Sequence, residues 1–146
     1  IYIIVSLMNS VIVLKTVISA TSVENVANYL INQKSKTIAI CNVNTLVRSY
    51  KNSTIQNKIN SFDIKAPDGF PVAKSSKILY KNQQDRVDGF NVFHKTIENG
   101  INEGLTHYFY GSDPKVVDLM IENLKLIYPE IKIAGVYCPP IKTYKE

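Results

Sequence analysis

The apolar residues of this chain change their spacing several times, and each change marks an element. Val23, Val26, Ala27, Leu30 and Ile31 recur at helical intervals. They follow "TSVE" (Thr21–Glu24), which reads as a capping box: the Thr21 hydroxyl serves the amide three residues on and Glu24 reaches back. "TIAIC" is a short apolar run and predicts a buried strand. "NTLVRSYKN" and "STIQNKI" predict two short helices, and "FDIKA" a strand that ends at "PDG". A basic helix is expected from Pro71 to about Tyr80. After the polar stretch "KNQQD" comes "RVDGF", then a helix carrying Phe90, Phe93, Ile97 and Ile101 on one side. "HYFY" predicts a strand, Gly111-Ser112-Asp113 a turn, and Pro114 stands where a helix accepts proline, at its first position. Val117, Met120, Ile121, Leu124 and Ile127 form that helix's apolar stripe, and "IKIAGVY" predicts a last strand. At the start, Val11–Leu14 is expected to be a buried strand. The apolar run before it has no basic residues ahead of it and is too short to span a bilayer, so no signal peptide is read there. Met8 is read as the natural start, with the preceding residues an upstream extension.

Strands alternating with amphipathic helices predict an α/β fold, a Rossmann-like parallel sheet with helices on both faces, over a single domain spanning 1–146. In such sheets ligands bind beyond the carboxyl ends of the strands. The polar motifs fall at such places: "CNVNT" (41–45), "PDG" (67–69), "GSDP" (111–114) and "CPP" (138–140) follow strands, and "DRVDGFN" (85–91) opens a helix.

Composition narrows the picture only a little. With 45% hydrophobic and 20% charged residues the chain is globular rather than disordered. A net charge of +5 and a pI near 9.1 favour anionic partners: nucleic acid, nucleotide phosphates or acidic lipid head groups. Against nucleic acid, the basic residues are scattered and the aromatics do not interleave with them as stacking platforms would. Cys41 and Cys138 are too few and too far apart for a zinc ribbon or a CxxC motif, and read as two reduced thiols.

Each candidate residue has a structural and a functional reading. Asn42 and Asn44 either cap a helix or hydrogen-bond a sugar or base. "GSDP" is a helix cap followed by proline, or an anion site at helix N-terminal amides. Arg86 is a solvated charge, or pairs with a diphosphate beside Gly89, where the lack of a side chain admits close approach. Lys74, Lys77 and Lys81 read as a wet helix face. His94 and His107 have no metal or triad partner at recognisable spacing and are assigned structural roles. Asp68 makes a turn, or does chemistry at it. The chain has no GxSxG, no HExxH and no DxD to hold a metal-bound diphosphate.

Taken in order, "CNVNT", "APDGFPVAK", "RVDGFNVF" and "HYFYGSDPKVVDLMIENLKLIYPEIKIAGVYCPP" resemble the WecG/TagA/CpsF family of bacterial glycosyltransferases, from about Val11 to the end. The resemblance implies transfer of an N-acetylmannosamine-type sugar from a UDP-sugar to an undecaprenyl-diphosphate-linked acceptor in cell-surface polymer or teichoic acid synthesis. It implies no metal or other cofactor, no nucleic-acid partner, and a peripheral position at the cytoplasmic face of an anionic membrane. Asp68 matches the family's proposed general base. The substrate-binding positions it implies are Asn42, Asn44, Thr45, Gly69, Arg86, Gly89, Asn91, Gly111, Ser112 and Tyr137. Asn42 falls where some members have threonine, Asn91 stands where the family usually has aspartate, and Ser112 replaces the second of a frequent glycine pair. Family members continue past the Pro-Pro with a Gly-x-Pro-Lys-Gln-Glu loop that does not occur here. The expectation is therefore a C-terminally incomplete domain with weak donor binding, little or no turnover, a loose tail after Tyr137, and an open sheet edge that favours homo-oligomers. A sugar-nucleotide-binding protein without catalysis is the alternative reading, and a basic nucleic-acid-binding domain a more distant one.

Overall fold

A computed structural model of the chain describes residues 10–81 and 84–140. It shows a mixed α/β architecture of helices and short parallel strand pairs, consistent with a Rossmann-like fold. The chain divides into two compact units, Ile1–Thr96 and Ile97–Glu146.

The first unit opens with a feature that the apolar spacing did not suggest. β1 (Ser10–Val13) and β2 (Thr16–Ser19) form an antiparallel hairpin, with Val13 opposite Thr16. Leu14 and Lys15 make its two-residue turn in the left-handed region, at φ 47° and 60°. The expected buried strand Val11–Leu14 is thus corrected. Only Val11 and Val13 are buried, while Ile12 alternates outward and Leu14 belongs to the exposed turn. The cap of α1 (Val23–Asn32) is corrected as well. Ser22, not Thr21, accepts the Asn25 N–H. Thr21 is buried instead, and its N–H and C=O are both bonded by the Gln84 side-chain amide, at 3.0 and 2.7 Å.

β3 (Ile38–Cys41) and β4 (Ile64–Pro67) pair in parallel, Ile38 opposite Ile64 and Cys41 opposite Pro67. Asp63 fastens their starts: its carboxylate takes the N–H and hydroxyl of Thr37 and the Lys36 ammonium. Those bonds, the Thr37 N–H first among them, hold its carboxyl down at about 2. Between the strands run α2 (Val43–Lys51) and α3 (Ser53–Asn60), each begun by an asparagine cap, Asn42 and Asn52. β2 lies beside β4, where the Lys65 N–H donates to Ser19 Oγ.

The period of two along the strands sorts their side chains to opposite faces. Ala39 and Cys41 join Val11, Val13, Ile18, Leu46, Ile59 and Val72 in one core. Ile38, Ile40, Ile64 and Ala66 join Val26, Val87 and Val92 in the other. Helices therefore cover both faces of the paired strands, as expected: α2, α3 and α4 (Phe70–Tyr80) on one, α1 and the start of α5 (Gly89–Ile101) on the other. At the β4–α4 junction Gly69 has φ 86° and ψ 143°, a conformation that L side chains rarely adopt. Gly69→Ala is expected to cost about 1–3 kcal/mol of stability, read from a denaturant midpoint, although the added methyl would meet no close neighbour.

In the second unit β5 (Thr106–Tyr110) and β6 (Lys132–Tyr137) pair in parallel, with a register shift between His107 and Tyr108. α6 (Pro114–Ile127) connects them, with Pro114 in its first turn and Asp113 as its cap. Of the expected stripe on α6, Val117 and Leu124 are buried and Ile127 is exposed. The expectations for residues 1–9, including Met8 as start, and for "IKTYKE" lie outside the described residues.

Candidate functional site

The parallel register of β3 and β4 ends both strands at the same level. The Asp68 N–H donates to the Cys41 carbonyl at 3.0 Å, one residue beyond β4. Gly69 then turns the chain into α4. Asp68 both follows the strand and precedes the turn, and its carboxylate stands at the strand end with its side chain 20% exposed.

A second backbone bond brings Arg86 to it. The Val87 N–H donates to the Pro67 carbonyl at 2.9 Å, so the segment before α5 runs along the end of β4. Val87 itself is fully buried against Ile64 and Ala66, which anchors the segment. Arg86 Nε donates to Asp68 Oδ1 at 3.1 Å. The arginine is more than half exposed, so the pair itself contributes only about 0–1 kcal/mol to stability. Its importance is positional. A guanidinium has five N–H donors, and a bond through Nε does not exhaust them. A cation and a partly screened carboxylate thus share the mouth of one strand end.

At the neighbouring strand end, Asn42 caps α2. Its Oδ1 accepts the Thr45 N–H at 3.0 Å and the Thr45 hydroxyl at 3.1 Å. The structural reading holds for that oxygen, and Thr45 is drawn into the same cap. Asn44 is exposed in the first turn of α2, beside the helix's leading amides. Asn42, Asn44, Thr45, Asp68, Gly69 and Arg86 all fall on the β3 and β4 ends or the segment laid beside them.

The 85–91 segment contains a residue that the sequence reading missed. Asp88 is buried and accepts both the Asn91 N–H at 3.0 Å and Asn91 Nδ2 at 2.7 Å. The backbone N–H of Asn91 draws its carboxyl below the usual carboxylate range. The Asn91 amide and the Arg86 charge add to this, and burial opposes it. An aspartate followed three residues later by a side chain that reaches back is a capping pattern, and "DGFN" carried that signal. The finding also bears on Asn91, whose amide is engaged by Asp88. A carboxylate at 91 would set two like charges at hydrogen-bond distance, so asparagine here and the buried Asp88 fit each other. Gly89 needs no special conformation. A Cβ there would lie 3.7 Å from Ile40, in ordinary contact.

Gly111, Ser112 and Tyr137 belong to the second unit. The Gly111 N–H donates to the Tyr137 carbonyl at 2.9 Å, and the Tyr110 and Tyr137 rings lie 5.7 Å apart. Gly111 and Ser112 both have positive φ, 112° and 64°. Ser112 therefore holds a left-handed conformation that glycine adopts at no steric cost, which accounts physically for a glycine pair at such a turn. His94 contacts the Phe90 and Phe93 rings, in keeping with a structural role. Burial lowers the His107 pKa. Among the described residues no group of three or more His, Cys, Asp or Glu side chains is placed to hold a metal ion.

Cys41 lies just inside the site, fully buried, and burial pushes its thiol up to about 11. At neutral pH it is a protonated, shielded group. Ellman's reagent on the native protein is expected to label Cys138, which is partly exposed, well before Cys41. Labelling of Cys41 should appear only on unfolding or as pH approaches 11. Equal rates at pH 7 would contradict this placement.

The profile of the glycosyl transferase WecG/TagA/CpsF family matches residues 11–146. Among curated proteins, the chain is similar to the N-acetylglucosaminyldiphosphoundecaprenol N-acetyl-beta-D-mannosaminyltransferase of Bacillus spizizenii strain W23, at 28% identity over 118 residues, 81% of this chain and 46% of that protein. It is also similar to the protein of the same name in Bacillus subtilis strain 168, at 24% identity over 114 residues, 77% of this chain and 44% of that protein. The chain thus spans about half the length of the curated relatives it matches. A profile match running through every strand-end motif described above leads to one conclusion: the chain belongs to the WecG/TagA/CpsF family of glycosyl transferases.

Proposed function

We propose that this chain carries the strand-end site of an inverting glycosyltransferase. In this reading it moves an N-acetylhexosamine of the N-acetylmannosamine type from a UDP-sugar to a sugar linked to undecaprenyl diphosphate. The observation that carries the reading is the Asp68 carboxylate, placed at the end of β4 by a backbone bond and met there by Arg86. The acceptor hydroxyl oxygen attacks the anomeric carbon as the bond from that carbon to the UDP oxygen breaks. UDP leaves with the electron pair, and Asp68 takes the hydroxyl proton. The charge that develops on UDP is met by protein donors without a metal ion, the exposed N–H groups of Arg86 foremost. Asn44 and Thr45 contribute at the neighbouring strand end, and Gly111, Ser112 and Tyr137 are proposed as further substrate contacts.

The names of the two relatives support both the sugar and the acceptor class. The net charge of +5 supports a working position against an anionic membrane at its cytoplasmic face, where each well-placed lysine or arginine contributes about 1 kcal/mol. No helix among the described residues is long and apolar enough to cross a membrane. The same Asp68–Arg86 pair favours a second reading, a sugar-nucleotide-binding protein without catalysis, because the ion pair occupies one oxygen of the would-be base. Single-turnover transfer measured alongside UDP-sugar binding separates the two: binding without transfer selects the second.

A further inference from the structure

The outer side of α4 carries a combination of groups that the proposed chemistry leaves unused. A recess of about 400 Å³ lies between α4 and the chain at Gln84–Arg86. Lys74, Lys77 and Arg86 supply three cations to its lining, and Asp85 is the one carboxylate among the lining residues. Ion pairs among the described residues join Lys36 to Asp63, Arg86 to Asp68 and Lys95 to Glu24, and none takes up Lys74 or Lys77. The two lysines are three residues apart on a helix, so they lie on one side and act together.

The same recess has an apolar wall. α4 buries Val72, Ala73 and Ser76, yet turns Phe70 and Ile78 outward, 69% and 66% exposed, and both line the recess. Lys74 Nζ sits 5.4 Å from the centre of the Phe70 ring. One exposed phenylalanine needs no explanation. Two large apolar side chains beside two lysines with no acidic partner among the described residues fit a ligand that is anionic at one end and hydrocarbon at the other. A nucleoside diphosphate matches the cations but leaves the apolar wall in water. A polyisoprenyl diphosphate matches both.

Position gives the orientation. Arg86 lines the recess and also bonds Asp68, so the two places are joined through one side chain. A diphosphate on Lys74 and Lys77 has Phe70 and Ile78 for its isoprenoid side, and Arg86 and Asp68 for the side bearing the sugar. The volume is at the small end for ligand sites, enough for the diphosphate and the first isoprene units with the rest of the lipid left outside. Building on the transfer reading above, we propose that this recess is the acceptor's subsite and that Lys74 and Lys77 bind its diphosphate.

Farnesyl diphosphate is the probe, titrated calorimetrically into the full-length protein, with inorganic pyrophosphate and UDP as comparison ligands. Farnesyl diphosphate should bind more tightly than pyrophosphate. The Lys74→Ala/Lys77→Ala double variant should weaken it by at least about tenfold, through the loss of two charge-assisted contacts, while UDP affinity stays the same. Both lysines lie on an outer helix face, and an unchanged melting curve confirms that the variant is folded. In transfer assays the acceptor KM should rise and the donor KM stay constant. Unchanged farnesyl diphosphate binding in the variant overturns the proposal, as does equal binding of pyrophosphate and farnesyl diphosphate, or a parallel loss of UDP. Lysine-dependent binding of farnesyl diphosphate by a protein that transfers no sugar supports the subsite and refutes the transfer reading alone.

Discussion

Asp68→Asn in the full-length protein is expected to lower sugar transfer by at least about a hundredfold, with UDP-sugar affinity close to that of the wild type. The substitution keeps the size of the side chain and an oxygen that can still face Arg86, but it removes the group that takes a proton. The fold should tolerate the change. The Asp68 N–H bond to the Cys41 carbonyl and the Val87 N–H bond to the Pro67 carbonyl are both made by the backbone. The lost ion pair involves an arginine that is 58% exposed and contributes at most about 1 kcal/mol. A thermal melt, a donor titration and a turnover measurement on the same preparation therefore give a clear pattern: stability and binding retained, turnover lost. Turnover within a few fold of the wild type would remove Asp68 from the role of base. Loss of donor binding together with turnover would mean that its charge organises the donor site.

Ile64→Ala is expected to cost about 2–5 kcal/mol of stability, against the roughly 5–15 kcal/mol by which a domain is usually stable. Ile64 is 2% exposed and packs with Val26, Ala66, Val87 and Val92. Those contacts come from α1, from β4, from the segment that carries Arg86 and from the start of α5, so one side chain joins the pieces that hold the site together. Truncation leaves a cavity where these pieces meet, and only partial collapse can fill it. Chemical denaturation of the variant should show a lowered midpoint with a similar slope. Activity should fall by more than the folded fraction accounts for, because Val87 positions Arg86. A midpoint within experimental error of the wild type would show that the core closes without this residue.

Much of this organisation was legible in the residues, and the exceptions have physical causes. The helices from α2 to α6 and the strands from β3 to β6 follow spacing and capping signals, which act locally. The Pro-Asp-Gly turn and the proline in the first turn of α6 are local in the same way. The β1–β2 hairpin escaped because its turn is Leu14-Lys15, residues that carry no turn signal yet hold positive φ. Thr21 gave a sound capping pattern one residue early. What decides between it and Ser22 is the Gln84 side chain, 63 positions further along, which claims the Thr21 backbone. The pairing of Asp68 with Arg86 and the burial of Asp88 depend likewise on where the 84–88 segment lies against β4, and no local pattern encodes that. Asn91 could be noticed in the sequence as a change of charge, and "DGFN" offered Asp88 as its capping partner, but the burial of that partner could be seen only in the fold.

The most direct test of the account supplies the full-length protein with UDP-N-acetylmannosamine and an N-acetylglucosaminyl-diphospholipid acceptor, and determines the anomeric configuration of any new linkage by NMR. The account predicts one disaccharide-linked lipid per UDP released, with configuration opposite to that of the donor. A product that retains the donor's configuration, or donor binding with no product, would contradict it.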